Sequence, residues 1–240
     1  MSAEAANRPT RFYIGMALVV LTVALAGFSK TFFAPLAAGT FQAPAIVHVH
    51  GAAAFAWVLL FVLQPALIRA RRYNLHTRTG MVGALIAVLV SFTAVPVGLF
   101  VVERDLAAGL GPAAVSSLLG VITAMTVFLA LVSAAIAYRR QPATHKRLML
   151  LATIVVLWPA WFRLRHWFPD VPRPEIWFAV VAAYSLVPIA MLRDRLVEGR
   201  VHPVWWFVGL PIVAEQTAEA LLFDSPIWRA AASVIYEILR

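Results

Sequence analysis

Residues 31 to 68 contain no charged side chain, and similar uncharged apolar runs, separated by short arginine-rich junctions, recur along the whole chain. About 20 apolar residues cross a bilayer as a helix. Irregular backbone and open sheet edges are not tolerated against lipid. Charged residues make up only 13% of the 240, whereas a soluble domain carries about 25%. The pattern predicts an all-α, seven-transmembrane-helix bundle, a single membrane domain over 1–240 with no stretch left for a soluble one.

The expected spans are 12–28, 45–68, 78–102, 112–138, 145–168, 175–192 and 203–223. Pro35, Gly39, Gln42 and Pro44 break the long second stretch, so 31–44 reads as an irregular segment ahead of the second span. Two arginines, Arg8 and Arg11, precede the first run with no small-residue cleavage site after it, which reads as an uncleaved first helix. Pro203 suits a first helical position, where its missing N–H costs nothing. After Ser225-Pro226, a capping pair, Ile227, Ala231, Val234, Ile235 and Ile238 recur at helical spacing. That predicts a C-terminal amphipathic surface helix, 226–240.

Most of the 20 lysines and arginines lie in the loops on the N-terminal side. The positive-inside rule then places the N-terminus in the cytoplasm and the C-terminus outside a bacterial inner (plasma) membrane. Trp167, Trp177, Trp205 and Trp206 sit near expected span ends, as an aromatic belt would. A net charge of +9 could indicate nucleic acid. The arginines flank apolar runs instead of forming one basic face, so the expected partner is the lipid bilayer. The absence of cysteine removes disulfides and thiolate metal sites. The only lysines, Lys30 and Lys146, lie outside the seventh span, which excludes a retinal Schiff base. No zincin, Walker or dinucleotide-binding pattern occurs, and Gly80–Gly83 reads as close helix packing.

Three junctions pair arginines with a histidine that topology does not require: Arg71-Arg72 to His76, Arg139-Arg140 to His145, and Arg200 to His202, with Arg78 and Arg147 nearby. If the odd-numbered helices approach one another, His76, His145 and His202 meet at one depth. They would then hold a metal, a haem or an anion. The plainer reading makes them polar residues opening helices. Toward the other face, His48, His50, His166, Arg163, Glu215 and Glu219 fall at similar depth on three helices. Ionisable groups there are costly and normally face the bundle interior with a partner. His50, Trp57 and Gln64 share a face at seven-residue spacing, and Glu215 and Glu219 share one at four. This outer set suits a first-row metal or haem, a proton or substrate path, or a structural network in which Arg163 neutralises a glutamate.

The stretches His48-Val49-His50, Leu75-His76-Thr77-Arg78-Thr79-Gly80, His145 to Thr153 and Gly199-Arg200-Val201-His202-Pro203 together resemble a group of bacterial multi-pass membrane proteins. That resemblance implies fold and location, and no reaction. The layout of histidines near both faces is also similar to that of b561-type membrane cytochromes. Two functions are expected. The first is a membrane redox protein using a transition metal or haem b, served by an electron-transfer or membrane subunit partner or by a homo-oligomer. The second is a small-solute or proton-coupled transport or binding bundle without a redox cofactor. A scaffold without a site is the third outcome.

Overall fold

The computed structural model describes residues 3–240, with side chains described from Thr10 onward; Arg8 lies outside them. Every regular element among the described residues is helical, and none of them forms a strand. Eight helices carry the architecture. α1 (Ala3–Phe28) continues through a π turn, Ser29–Phe33, to Ala37. α2 (Ala45–Arg69), α3 (Tyr73–Ala107), α4 (Ala113–Ala137) and α5 (Pro142–Arg163) follow. α6 (Leu186–Glu198) is preceded by a π turn, Trp177–Ala182. α7 (Leu210–Leu222) is opened by another, Trp205–Gly209, and α8 (Pro226–Leu239) ends the chain.

Six of these segments are long and apolar enough to cross a membrane: Thr10–Ala37, Ala45–Arg69, Tyr73–Ala107, Ala113–Ala137, Pro142–His166 and Pro174–Glu198. α7 is not among them, because Glu215, Gln216 and Glu219 dilute its apolar character. The first span reaches further than expected. Pro35 occupies an N-terminal position of the short Ala34–Ala37 helix, where proline is tolerated, so only 38–44 is irregular. The sixth helix also runs on, to Glu198, and Gly199 (φ 74°) closes it in the left-handed conformation that glycine adopts freely. Arg193 and Asp194 are therefore helical residues and not loop residues.

The first five helices form a closed ring in which α1 packs on α2, α2 on α3, α3 on α4, α4 on α5, and α5 back on α1. The centre is filled by Trp57 of α2, 4.9 Å edge-on to Phe128 of α4, with Val20, Leu151 and Ile154 around them. Ring closure depends on Gly27, where an added Cβ would lie 2.1 Å from the Ala160 carbonyl oxygen of α5. The π turn before α6 packs outside the ring on α5, and α7 packs against it in turn. α8 docks on α4: Trp228 Nε1 donates to the Ser116 carbonyl (3.0 Å), and Ala232 is fully buried with Val102, Val115 and Leu118.

Candidate functional site

The polar side chains gather in three places. At the arginine-rich end, Arg147 enters the bundle from the second turn of α5 and is wholly buried. Its Nε donates to Asp194 Oδ2 (2.7 Å), one Nη to Glu198 Oε2 (2.7 Å), and the other to the Ala143 carbonyl (2.7 Å). Arg193 donates to Asp194 Oδ1 (3.0 Å) and to Glu198. Trp205 Nε1 donates to Asp194 Oδ2 (2.7 Å), tying the start of α7 to α6. Lys146 lies 3.8 Å from Glu198 and over the Tyr13 ring, and Arg193 sits over Phe12, so α1 joins the knot as well. Three cations thus share two carboxylates where helices α1, α5, α6 and α7 converge, with one buried Arg193 nitrogen left without a partner among the described residues.

Sequence reasoning missed this knot. Arg147 and Arg193 had a sufficient cause in topology, and Asp194 and Glu198 fell beyond the expected end of the sixth span. Their four-residue spacing, which puts both carboxylates on one helical face, was the available signal. Trp205 is also corrected: it is fully buried as a donor to Asp194 and is no part of an aromatic belt.

Two of the three inner histidines meet. The His76 and His145 rings stand 6.5 Å apart, nearly perpendicular. His145 Nδ1 donates to the Ala135 carbonyl (2.7 Å), fastening α5 to the end of α4 and leaving Nε2 uncommitted. His76 Nδ1 is buried without a partner, as is Gln64 Oε1, while Gln64 Nε2 donates to Thr79 (3.0 Å). His202 has a different task. Its Nδ1 accepts from the Val204 backbone N–H (3.3 Å), so it caps the segment that opens α7. Because Nδ1 accepts, the ring proton is on Nε2; burial, with the nearby Arg147 guanidinium, holds His202 below the ordinary histidine value. Arg78 and Arg200 are exposed.

The outer set is dispersed. His50 Nδ1 lies 2.9 Å from Thr93 Oγ1, whose single proton is already directed at the Leu89 carbonyl (2.6 Å); His50 is therefore the donor. His48 rests against Phe41 and Phe32. His166 is exposed at the rim, where its carbonyl accepts from Lys30. Arg163 does not neutralise a glutamate: it donates to the Pro159 carbonyl (3.0 Å) and lies 4.5 Å above the Phe28 ring. Like the snorkelling arginines of span ends, it turns toward its own helix's last carbonyls.

Glu215 and Glu219 form a third group with their own neighbours. Gln216, buried between them, donates from Nε2 to Glu215 Oε2 (2.8 Å) and to Glu219 Oε2 (3.2 Å). Its Oε1 accepts from Tyr184 OH (2.9 Å), which orients the amide. Glu219 Oε1 is buried and has no partner.

Among the described residues, no group of three or more histidine, aspartate or glutamate side chains is placed to hold a metal ion. The arrangement supplies a charge knot of three cations and two carboxylates, an imidazole pair and a pair of carboxylates sharing one amide. No family model, curated protein or solved structure matches the chain, so the resemblance to bacterial multi-pass membrane proteins rests on the quoted stretches alone.

Proposed function

We propose that this protein is an inner-membrane bundle of seven crossings, N-terminus in the cytoplasm and C-terminus outside, that binds and passes a proton or a small cationic solute through the carboxylates of α7. The observation that carries the reading is Glu219 Oε1, a buried carboxylate oxygen with no donor, beside a second carboxylate that shares its only amide. A buried acceptor left unmade costs about 1–3 kcal/mol, more for a charged group. Two adjacent carboxylates cannot both stay ionised cheaply. A proton held between them, or a cation in its place, relieves both penalties. Ionisable groups at membrane depth commonly mark such pathways.

The seventh crossing is supported by the helical turns from Trp205 to Leu222, which follow α6 directly and return toward the opposite face. For α8, Ile227, Val234 and Ile238 remain exposed once Ala232 has docked, which fits a helix lying on the outer membrane surface. Infrared spectroscopy of the reconstituted protein at neutral pH should show a protonated-carboxyl band that disappears in Glu219→Gln, together with proton-coupled flux into liposomes. Absence of that band in the wild type would overturn the reading.

A redox reading is favoured by one observation. His145 donates Nδ1–H to a backbone carbonyl and keeps Nε2 free 6.5 Å (ring to ring) from His76, the tautomer that metal-bound imidazoles use. A transition metal or the iron of haem b between these two rings would exchange electrons with a partner subunit. Visible absorbance and metal analysis of the purified protein test it; a folded, colourless, metal-free protein rules it out.

A further inference from the structure

At the arginine-rich end, an apolar groove of about 640 Å³ opens on the flank of the bundle, within the roughly 300–1,000 Å³ range of small-ligand pockets. Ala130 and Ala134 of α4 line one wall, Val204 and Val208 the other, and Leu148 of α5 lies between them. The small alanines keep α4 clear of the segment opening α7. The groove narrows onto no polar group along its length; His202, Thr144 and Tyr138 gather at its mouth. Arg139 and Arg140 follow Tyr138 directly, and Arg200 precedes His202 by two residues; all three are exposed. Glu198, two residues before Arg200, is already engaged by Arg147, Arg193 and Lys146. Among the described residues no carboxylate pairs with these three arginines, so the mouth carries positive charge.

We propose that this groove seats one acyl chain of an anionic phospholipid whose phosphate is held at the mouth by Arg139, Arg140 and Arg200. The free Nε2–H of His202 serves as a donor beside them. Charge complementarity selects the headgroup, and the apolar walls select a chain in place of a soluble phosphate. Basic clusters at a membrane face attract anionic lipid in just this way, each arginine strengthening binding several-fold. The site is separate from the carboxylates of α7 and stands whether or not they carry a proton.

The test is native mass spectrometry of the full chain in detergent, offered phosphatidylglycerol and phosphatidylcholine with identical chains in equal amounts. One phosphatidylglycerol should be retained with at least about fivefold preference. The Arg139→Gln/Arg140→Gln/Arg200→Gln variant should lose that preference, while Arg69→Gln, at the same end but away from the groove, should keep it. Ala134→Phe, which fills the groove from α4, should reduce retention of both lipids; Val208→Phe, from the other wall, should do the same. Equal retention of the two lipids by the wild type would overturn the proposal, as would a preference that survives the triple variant. Displacement of the lipid by glycerophosphate without acyl chains would show a headgroup site alone and overturn the groove's part in it.

Discussion

Because Arg147 and Asp194 are both shielded from solvent, deleting either charge takes from the other its buried ionic partner and leaves it only Glu198, or Arg193 and Trp205. Breaking a buried pair from one side typically costs about 3–5 kcal/mol, whereas replacing both partners with apolar groups can be nearly neutral. Arg147→Met should therefore lower stability by about that amount, and Arg147→Met/Asp194→Leu should recover only part of the loss, because Arg193 and Trp205 then lose their buried acceptor, read by thermal unfolding in micelles. Trp205→Phe removes one bond to a charged acceptor and should cost about 1.5–3 kcal/mol in the same assay. Asp224 offers a pH handle. Hydrogen bonds from Arg229 and Ser116 hold its carboxyl below the ordinary aspartate value. Such a group stabilises the docked tail above its unfolded value of about 3.9, and the contribution is lost as pH falls through the lower folded value. The distance between labels on α4 and α8 should be constant from about pH 5 to 8 and broaden below about pH 4; Asp224→Asn should abolish that acid response.

At the scale of helices, Gly27 and Gly83 look alike in sequence and differ in the structure. A Cβ at Gly27 meets backbone of α5 at 2.1 Å, whereas one at Gly83 meets the Leu60 side chain, which can turn away. Gly27→Ala should open the α1–α5 seam at a cost in the range of about 1–3 kcal/mol typical of overpacking, and Gly83→Ala should cost clearly less, as thermal unfolding in micelles would show. The helices themselves were legible from charge-free runs: α2 begins at Ala45 and α4 ends at Ala137, each within a residue of expectation. Helix ends that carry charge were not. Polar residues at 73–77 and 193–198 read as loops, yet they extend α3 and α6, because a helix satisfies its own backbone whether or not its side chains face lipid. The site was legible only as residue types. Which histidine meets which depends on the ring closure of α1 to α5, and no spacing along the chain encodes that His76 faces His145 while Arg163 turns away from the glutamates.

For the whole molecule, the arginine-rich end is tied by charge and the opposite end by packing and single hydrogen bonds. A reporter fused after Arg240 should be active only outside the cytoplasm if α7 crosses, and one fused after Gly199 only inside; both on the same side would reduce the bundle to six crossings. The knot at Asp194 also fixes how α7 can move. Trp205 pins its first turn to α6, and the π turn Trp205–Gly209 that follows is a stretch of irregular helical winding. Motion of the outer half of α7 is then a swing about that anchor, with a lever of about 15 Å from Gly209 to Glu219. A swing of about 10° carries Glu219 through about 2.6 Å and moves Glu215, Gln216 and Glu219 together, because all three lie on α7. The immobile charges at one face thus make a small angular change, and no sliding of helices, sufficient to break the bond from Tyr184 (2.9 Å) that orients the amide shared by the carboxylate pair at the other.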